Sequence, residues 1–298
     1  MTAVLTRSAP DGGVAVSGAA STAIRGLVEG PRRPLTLLAA FPSAVYLTTG
    51  DSTVLAAVAP GSVRLPCAVV MPSAADLPDS EVLTGDSWVG LGGLTLDGRR
   101  VEVNQWWRPT PPAPPMSTEV LARGLDALTA RLSVQQHRLL RAISDGLRRL
   151  EAAVRMREPD PAADAASALI GLGPGLTPSG DDVVAGFLVG LHHLAVPREP
   201  SRTGQTLTAA RAHVRDRIAG RILIEAPVRT TTLSAALLGH AARGQTAAEV
   251  TAVLNALSGR RPLSPVLMRL MAVGHSSGYD MACGILAAGR ALLGQREG

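Results

Sequence analysis

The sequence predicts an α+β chain: an N-terminal β-rich module, a small barrel or sandwich, followed by a larger all-helical domain. Three observations predict it. Short apolar runs separated by turn residues fill the chain up to residue 108, and apolar residues at helical spacing dominate from 117 onward. A proline-rich stretch at 109–116 divides the two patterns. Aromatics make up only 2% of a chain that is 46% hydrophobic, so the core must be built from Ala, Leu and Val, which suits close helix packing.

The strand-like runs of the first module are Ala44–Thr49, Val54–Val58, Ala68–Met71, Trp88–Leu91 and Arg100–Val103, while Ala19–Val28 reads as a short helix. Gly50-Asp51 and Asp97-Gly98 supply hairpin-turn chemistry between such runs. The stretch from Pro109 to Pro115 reads as a stiff linker, because each proline removes a backbone donor. Beyond it, Ser117 or Thr118 can cap a helix running to about Arg131. Val134–Arg155 places Leu139, Leu140, Ile143, Leu147 and Leu150 at helical spacing, with Arg141, Asp145, Arg148, Arg149 and Glu151 on the solvated side. Further helices are expected at Ala162–Ile170, Val183–Leu194, Thr206–Ala219, Thr232–Arg243, Ala247–Leu257, Pro265–Val273 and Met281–Leu293. The expected domains are therefore 1–108 and 117–298.

Composition removes several function classes. There is no lysine among the 29 basic residues, so no Schiff-base or phosphate-loop lysine is available. The net charge of +5 is scattered and lacks stacking aromatics, which argues against a nucleic-acid partner. No uninterrupted apolar run has the length of a membrane span, and the N-terminus lacks signal-peptide features. Cys67 and Cys283 stand too far apart to suggest a disulfide framework or zinc site. A cytoplasmic protein with no membrane partner is the expectation, with a homo-oligomer left open.

The chemistry concentrates in two loops. Residues 171–182 read Gly-Leu-Gly-Pro-Gly-Leu-Thr-Pro-Ser-Gly-Asp-Asp, and the run from His275 to Asp280 echoes them. Ser179-Gly180-x-Asp182-x-x-x-Gly186-x-Leu188 recurs as Ser277-Gly278-x-Asp280-x-x-x-Gly284-x-Leu286. Gly173 and Gly175 permit close backbone approach, and Thr177 before Pro178 reads as a helix N-cap. N–H groups at Gly173, Gly175 and Ser179 could then receive an anion. A competing explanation is purely architectural, since Ser179/Asp182 and Ser277/Asp280 both fit a capping-box variant. Asp181, His275 and Ser276 exceed what capping needs, so His275, Asp181 and Asp182 are the catalytic candidates. The adjacent carboxylates Asp181 and Asp182 would hold Mg²⁺ or bind donor groups such as amides. A third segment places Arg229 beside Thr230 and Thr231, a grip for phosphate or carboxylate, or else a plain cap with Arg229 exposed. Ser276, Ser277 and Asp280 complete the set of binding candidates.

The first loop, the Arg-Thr-Thr segment and the run from Gly274 to Asp280 together resemble the AllH family. The resemblance implies a β-like front part and a helical body. It also implies membership of oxamate carbamoyltransferase, alongside FdrA-like and AllG-like partners, with phosphorolysis of oxalurate to oxamate and carbamoyl phosphate. The ligand expected is a small carboxylated or phosphorylated metabolite. Two other functions fit the residues: a non-catalytic scaffold or small-anion-sensing subunit of a metabolic complex, and a metal-assisted amide hydrolase using Asp181, Asp182 and His275.

Overall fold

The structure, a computed structural model, describes residues 16–78, 82–111, 116–135, 138–194 and 202–294. It contains two compact units, Met1–Pro109 and Thr110–Gly298. Residues 112–115 of the proline-rich stretch lie outside the described part.

The first unit is built from β1 Val16–Ser21, α1 Arg25–Glu29, β2 Arg33–Pro34, β3 Thr36–Phe41, β4 Ala44–Thr48, β5 Val54–Val58, β6 Ala68–Val70, β7 Trp88–Gly90, β8 Gly93–Leu96 and β9 Arg99–Trp107. The strands form one sheet in the order β2-β7-β8-β9-β1-β6-β5-β4-β3. Its two edge strands, β2 and β3, are separated along the chain by Leu35 alone, so the sheet must curl until it nearly closes. The architecture is thus barrel-like. Inward-facing Val45 and Leu47 of β4 and all of β5 are buried, giving the interior its aliphatic filling. Ser21 ends β1 by accepting the Ala23 N–H at 3.2 Å, which is why the helix expected from Ala19 begins later, after a single 3₁₀ turn. β3 (Thr-Leu-Leu-Ala-Ala-Phe) escaped the sequence reading because it lacks an alternating pattern.

The second unit contains α2 Thr118–Ser133, α3 Arg141–Met156, α4 Pro159–Ser167, α5 Ser179–His193, α6 Arg202–Arg229, α7 Thr232–Ala242, α8 Ala248–Leu257, α9 Leu263–Met271 and α10 Ser277–Leu293. α5 is buried along nearly its whole length, with Phe187 at the centre of an otherwise Leu, Val and Ala core. That all-round apolar character marks a helix surrounded by others. Two boundaries differ most from expectation. α3 starts at Arg141 instead of Val134, and α6 continues past Ala219 to Arg229 with Pro227 inside it. Pro227 deprives the Leu223 carbonyl of its donor, and Leu223 is solvent-exposed, so water can replace that bond.

Candidate functional site

The repeated motif has a structural meaning: it pairs α5 with α10. A Cβ added to Gly186 would lie 2.2 Å from the Met281 carbonyl oxygen, and one added to Gly284 would lie 2.1 Å from that of Val183. The two contacts are one contact seen twice, related by a constant offset in numbering. Only glycine allows backbones this close. The correspondence extends backwards into the loops, since Gly180 presses on the Leu169 carbonyl and Gly278 on that of Leu270. Leu169–Gly173 then matches Leu270–Gly274, and the first loop is longer by Pro174, Gly175 and Leu176, all exposed.

This pairing brings the two loops together. Thr177 Oγ1 and Ser277 Oγ lie 3.0 Å apart although 100 residues separate them in sequence. Both hydroxyls also act on the Asp182 carboxyl, each lowering its pKa. Asp182 is only 6% exposed, and its Oδ2 has no hydrogen-bond partner among the described residues. Burial pushes its pKa up to about 7, against the lowering effect of the Ser277 and Thr177 hydroxyls and with help from the Asp280 and Asp181 charges. Asp280 itself is fully buried on α10.

The capping explanation does not survive. Neither α5, whose N-cap is Pro178, nor α10, whose N-cap is Ser276, has a side-chain cap. The Thr177 hydroxyl faces the second loop instead of capping α5, and Asp182 turns the same way. The N–H groups of Gly173, Gly175, Ser179 and Ser277 meet no acceptor among the described residues. Gly173 and Gly175 have φ of +114° and +96°, a backbone form that L side chains resist.

The profile of the family described as oxamate carbamoyltransferase subunit AllH matches residues 169–289. This stretch of the helical unit is similar to the AllH family. The matched segment starts at the carbonyl on which Gly180 rests, includes both loops and the Arg-Thr-Thr segment, and ends within α10. No solved structure matches the chain. No helix among the described residues is long and apolar enough to cross a membrane.

Within this AllH-like segment, the Arg-Thr-Thr residues act as a clasp on the first loop. Thr230 Oγ1 donates to Asp181 Oδ2, and Thr231 Oγ1 donates to the Leu176 carbonyl while accepting the Ser234 N–H as the α7 N-cap. Arg229 lies in the last turn of α6, where Nη1 bonds Ser167 Oγ at 2.7 Å and Glu225 Oε2 at 2.8 Å. Hydrogen bonds from Ser167, then Arg229 and Arg221, hold the Glu225 carboxyl down at about 2. The expected anion grip at Arg229, Thr230 and Thr231 is therefore replaced by internal bonds. The pattern Glu225 to Arg229, four apart on a helix, was a readable sign of this pairing. Ser167 and Ser234 carried no such sign.

Asp181 and Asp182 go to different neighbours. Asp181 is 1% exposed; its Oδ1 accepts the Gly171 N–H at 2.8 Å, and its Oδ2 accepts Ser234 Oγ at 2.7 Å as well as Thr230. It ties the first loop to the α6–α7 joint. With those oxygens occupied, the pair does not fit Mg²⁺, and no cluster of three His, Cys, Asp or Glu suited to a metal occurs among the described residues. His275 is exposed, Ser276 is half-buried, and no hydrogen bond ties either side chain to Asp182. His192 and His193 bond separate carbonyls, those of Ala242 at 3.1 Å and Gly244 at 2.8 Å.

Proposed function

We propose that this chain is a subunit of a carbamoyltransferase of the oxamate carbamoyltransferase type, and that its paired loops take part in the reaction. The observation that carries the reading is the meeting of Thr177, Asp182 and Ser277 within the segment that matches the AllH family. In the proposed reaction, a phosphate oxygen attacks the ureido carbonyl of oxalurate. A C–O bond forms, the C–N bond to the oxamate nitrogen breaks, and that nitrogen needs a proton. Protonated Asp182 supplies it, then regains a proton from the carbamoyl phosphate hydroxyl. A carboxyl with a pKa of about 7 can do both near neutrality. The Gly173 and Gly175 N–H groups, without a protein acceptor, are the donors for the oxyanion that develops on the carbonyl. Thr177 and Ser277 hold Asp182 in place, and Asp181 positions the loop from behind.

FdrA-like and AllG-like proteins are the proposed partners. The test is reconstitution with them, followed by measurement of carbamoyl phosphate formed from oxalurate and phosphate. Asp182→Asn is expected to lower kcat by about 10²-fold or more, the usual contribution of a positioned acid. Full activity in that variant would overturn the assignment.

A further inference from the structure

We propose that the paired N-termini of α5 and α10 form one seat for an oxyanion, a phosphate or carboxylate group, which is taken up together with a proton carried by Asp182. The inference rests on the site assignment above and adds the ligand chemistry and the proton. α5 and α10 have 15 and 17 residues, long enough for a developed dipole at each start. Neither start is capped by a side chain, and the Ser179 and Ser277 N–H groups remain without acceptors among the described residues. The Thr177–Ser277 contact brings these two positive ends to the same place.

Asp182 gives the independent sign of a ligand. It is 94% buried, and its Oδ2 has no hydrogen-bond partner among the described residues. Leaving a buried carboxyl oxygen unpartnered is costly, so a ligand atom that completes it gains affinity. An ionised Asp182 would repel an oxyanion, whereas its protonated form donates to one. The charged groups acting on it favour the protonated form: Asp280 reaches it from α10 and Asp181 from α5. The Cys283 thiol on α10 is pushed up to about 12 by burial and is neutral. Arg229 at the end of α6 is paired with Glu225, and His275 on the second loop is exposed. The Asp182 pKa of about 7 places the change within an accessible range.

The test is calorimetric titration of the full chain with sodium sulfate and, separately, oxamate, neither of which titrates between pH 6 and 8. Runs at both pH values, at constant ionic strength and in two buffers of different ionisation enthalpy, report affinity and proton uptake together. Binding is expected to weaken about tenfold from pH 6 to pH 8, with uptake approaching one proton at the higher pH. Asp182→Asn is expected to bind with neither pH dependence nor proton uptake. Tighter sulfate identifies a phosphate seat and tighter oxamate a carboxylate seat. Absent binding of both, or binding by the unsubstituted chain without proton uptake, overturns the inference, and neither result needs the variant to fold. Persistent pH dependence in a folded Asp182→Asn chain overturns it too. Anion binding with proton uptake, but no carbamoyl phosphate from the reconstituted complex, would keep the seat and reject the reaction.

Discussion

Asp182→Asn should change how stability depends on pH. The folded chain raises this carboxyl from 3.8 to about 7. Between those values the native state holds a proton that the unfolded chain has released. Stability from this group is therefore fully present below the unfolded pKa and is lost as pH rises through the folded pKa. A rise of roughly three units at about 1.4 kcal/mol each makes the loss about 4 kcal/mol between pH 4 and pH 8. Because Asp182 is 6% exposed, little of this is removed by solvent screening. Asparagine cannot titrate, so its cost is a constant offset. The difference in stability between the two proteins should thus move by about 4 kcal/mol in favour of the variant as pH rises. For a unit of this size that is roughly 10 °C in Tm. Melting followed by circular dichroism at 222 nm reports the helical unit, whereas Trp88, Trp106 and Trp107 confine tryptophan fluorescence to the barrel-like unit. Melting curves that shift by the same amount at pH 5 and pH 8 would refute the reasoning.

Other residues give sharper separations of role. Asp181→Ala leaves the Gly171 N–H and the Thr230 and Ser234 hydroxyls without their acceptor, and should cost roughly 3–5 kcal/mol, read from chemical denaturation at 222 nm. Gly186→Ala and Gly284→Ala force equivalent overlaps across the α5–α10 crossing. Each should destabilise by about 1–3 kcal/mol, and the two losses should be similar in thermal melts. His275→Ala, at an exposed position, should stay within about 0.5 kcal/mol in the same melts and leave sulfate affinity unchanged in calorimetry. Arg229→Ala removes one of the three partners of Glu225 without touching the loop pair; in the reconstituted assay it should retain most activity where Asp182→Asn does not.

Much about this protein was legible in one dimension, because it depends on local rules. Helical spacing identified α2, α7 and α8 nearly to their ends, since an amphipathic or apolar period is written in neighbouring residues. The change from turn-broken apolar runs to helical spacing marked the two kinds of structure, and the unusual first loop pointed to its family. The echo of Ser-Gly-x-Asp also drew attention to the right residues. The same spacing also permits helix capping, a local interaction that the sequence alone does not separate from a shared site.

Only the tertiary structure decided where those side chains turn. Asp182 leaves its own helix start for Ser277, and Thr177 meets the same serine, because Gly186 and Gly284 let α5 and α10 approach closely enough to bring both loops together. Asp181, its neighbour, is taken by Thr230 and Ser234 at the α6–α7 joint. Two adjacent carboxylates that look alike in sequence thus become a fully hydrogen-bonded tie and a buried acid with one oxygen that has no partner among the described residues. A carboxylate's role follows from the donors across from it and from the water excluded around it, and residues distant in the chain supply both.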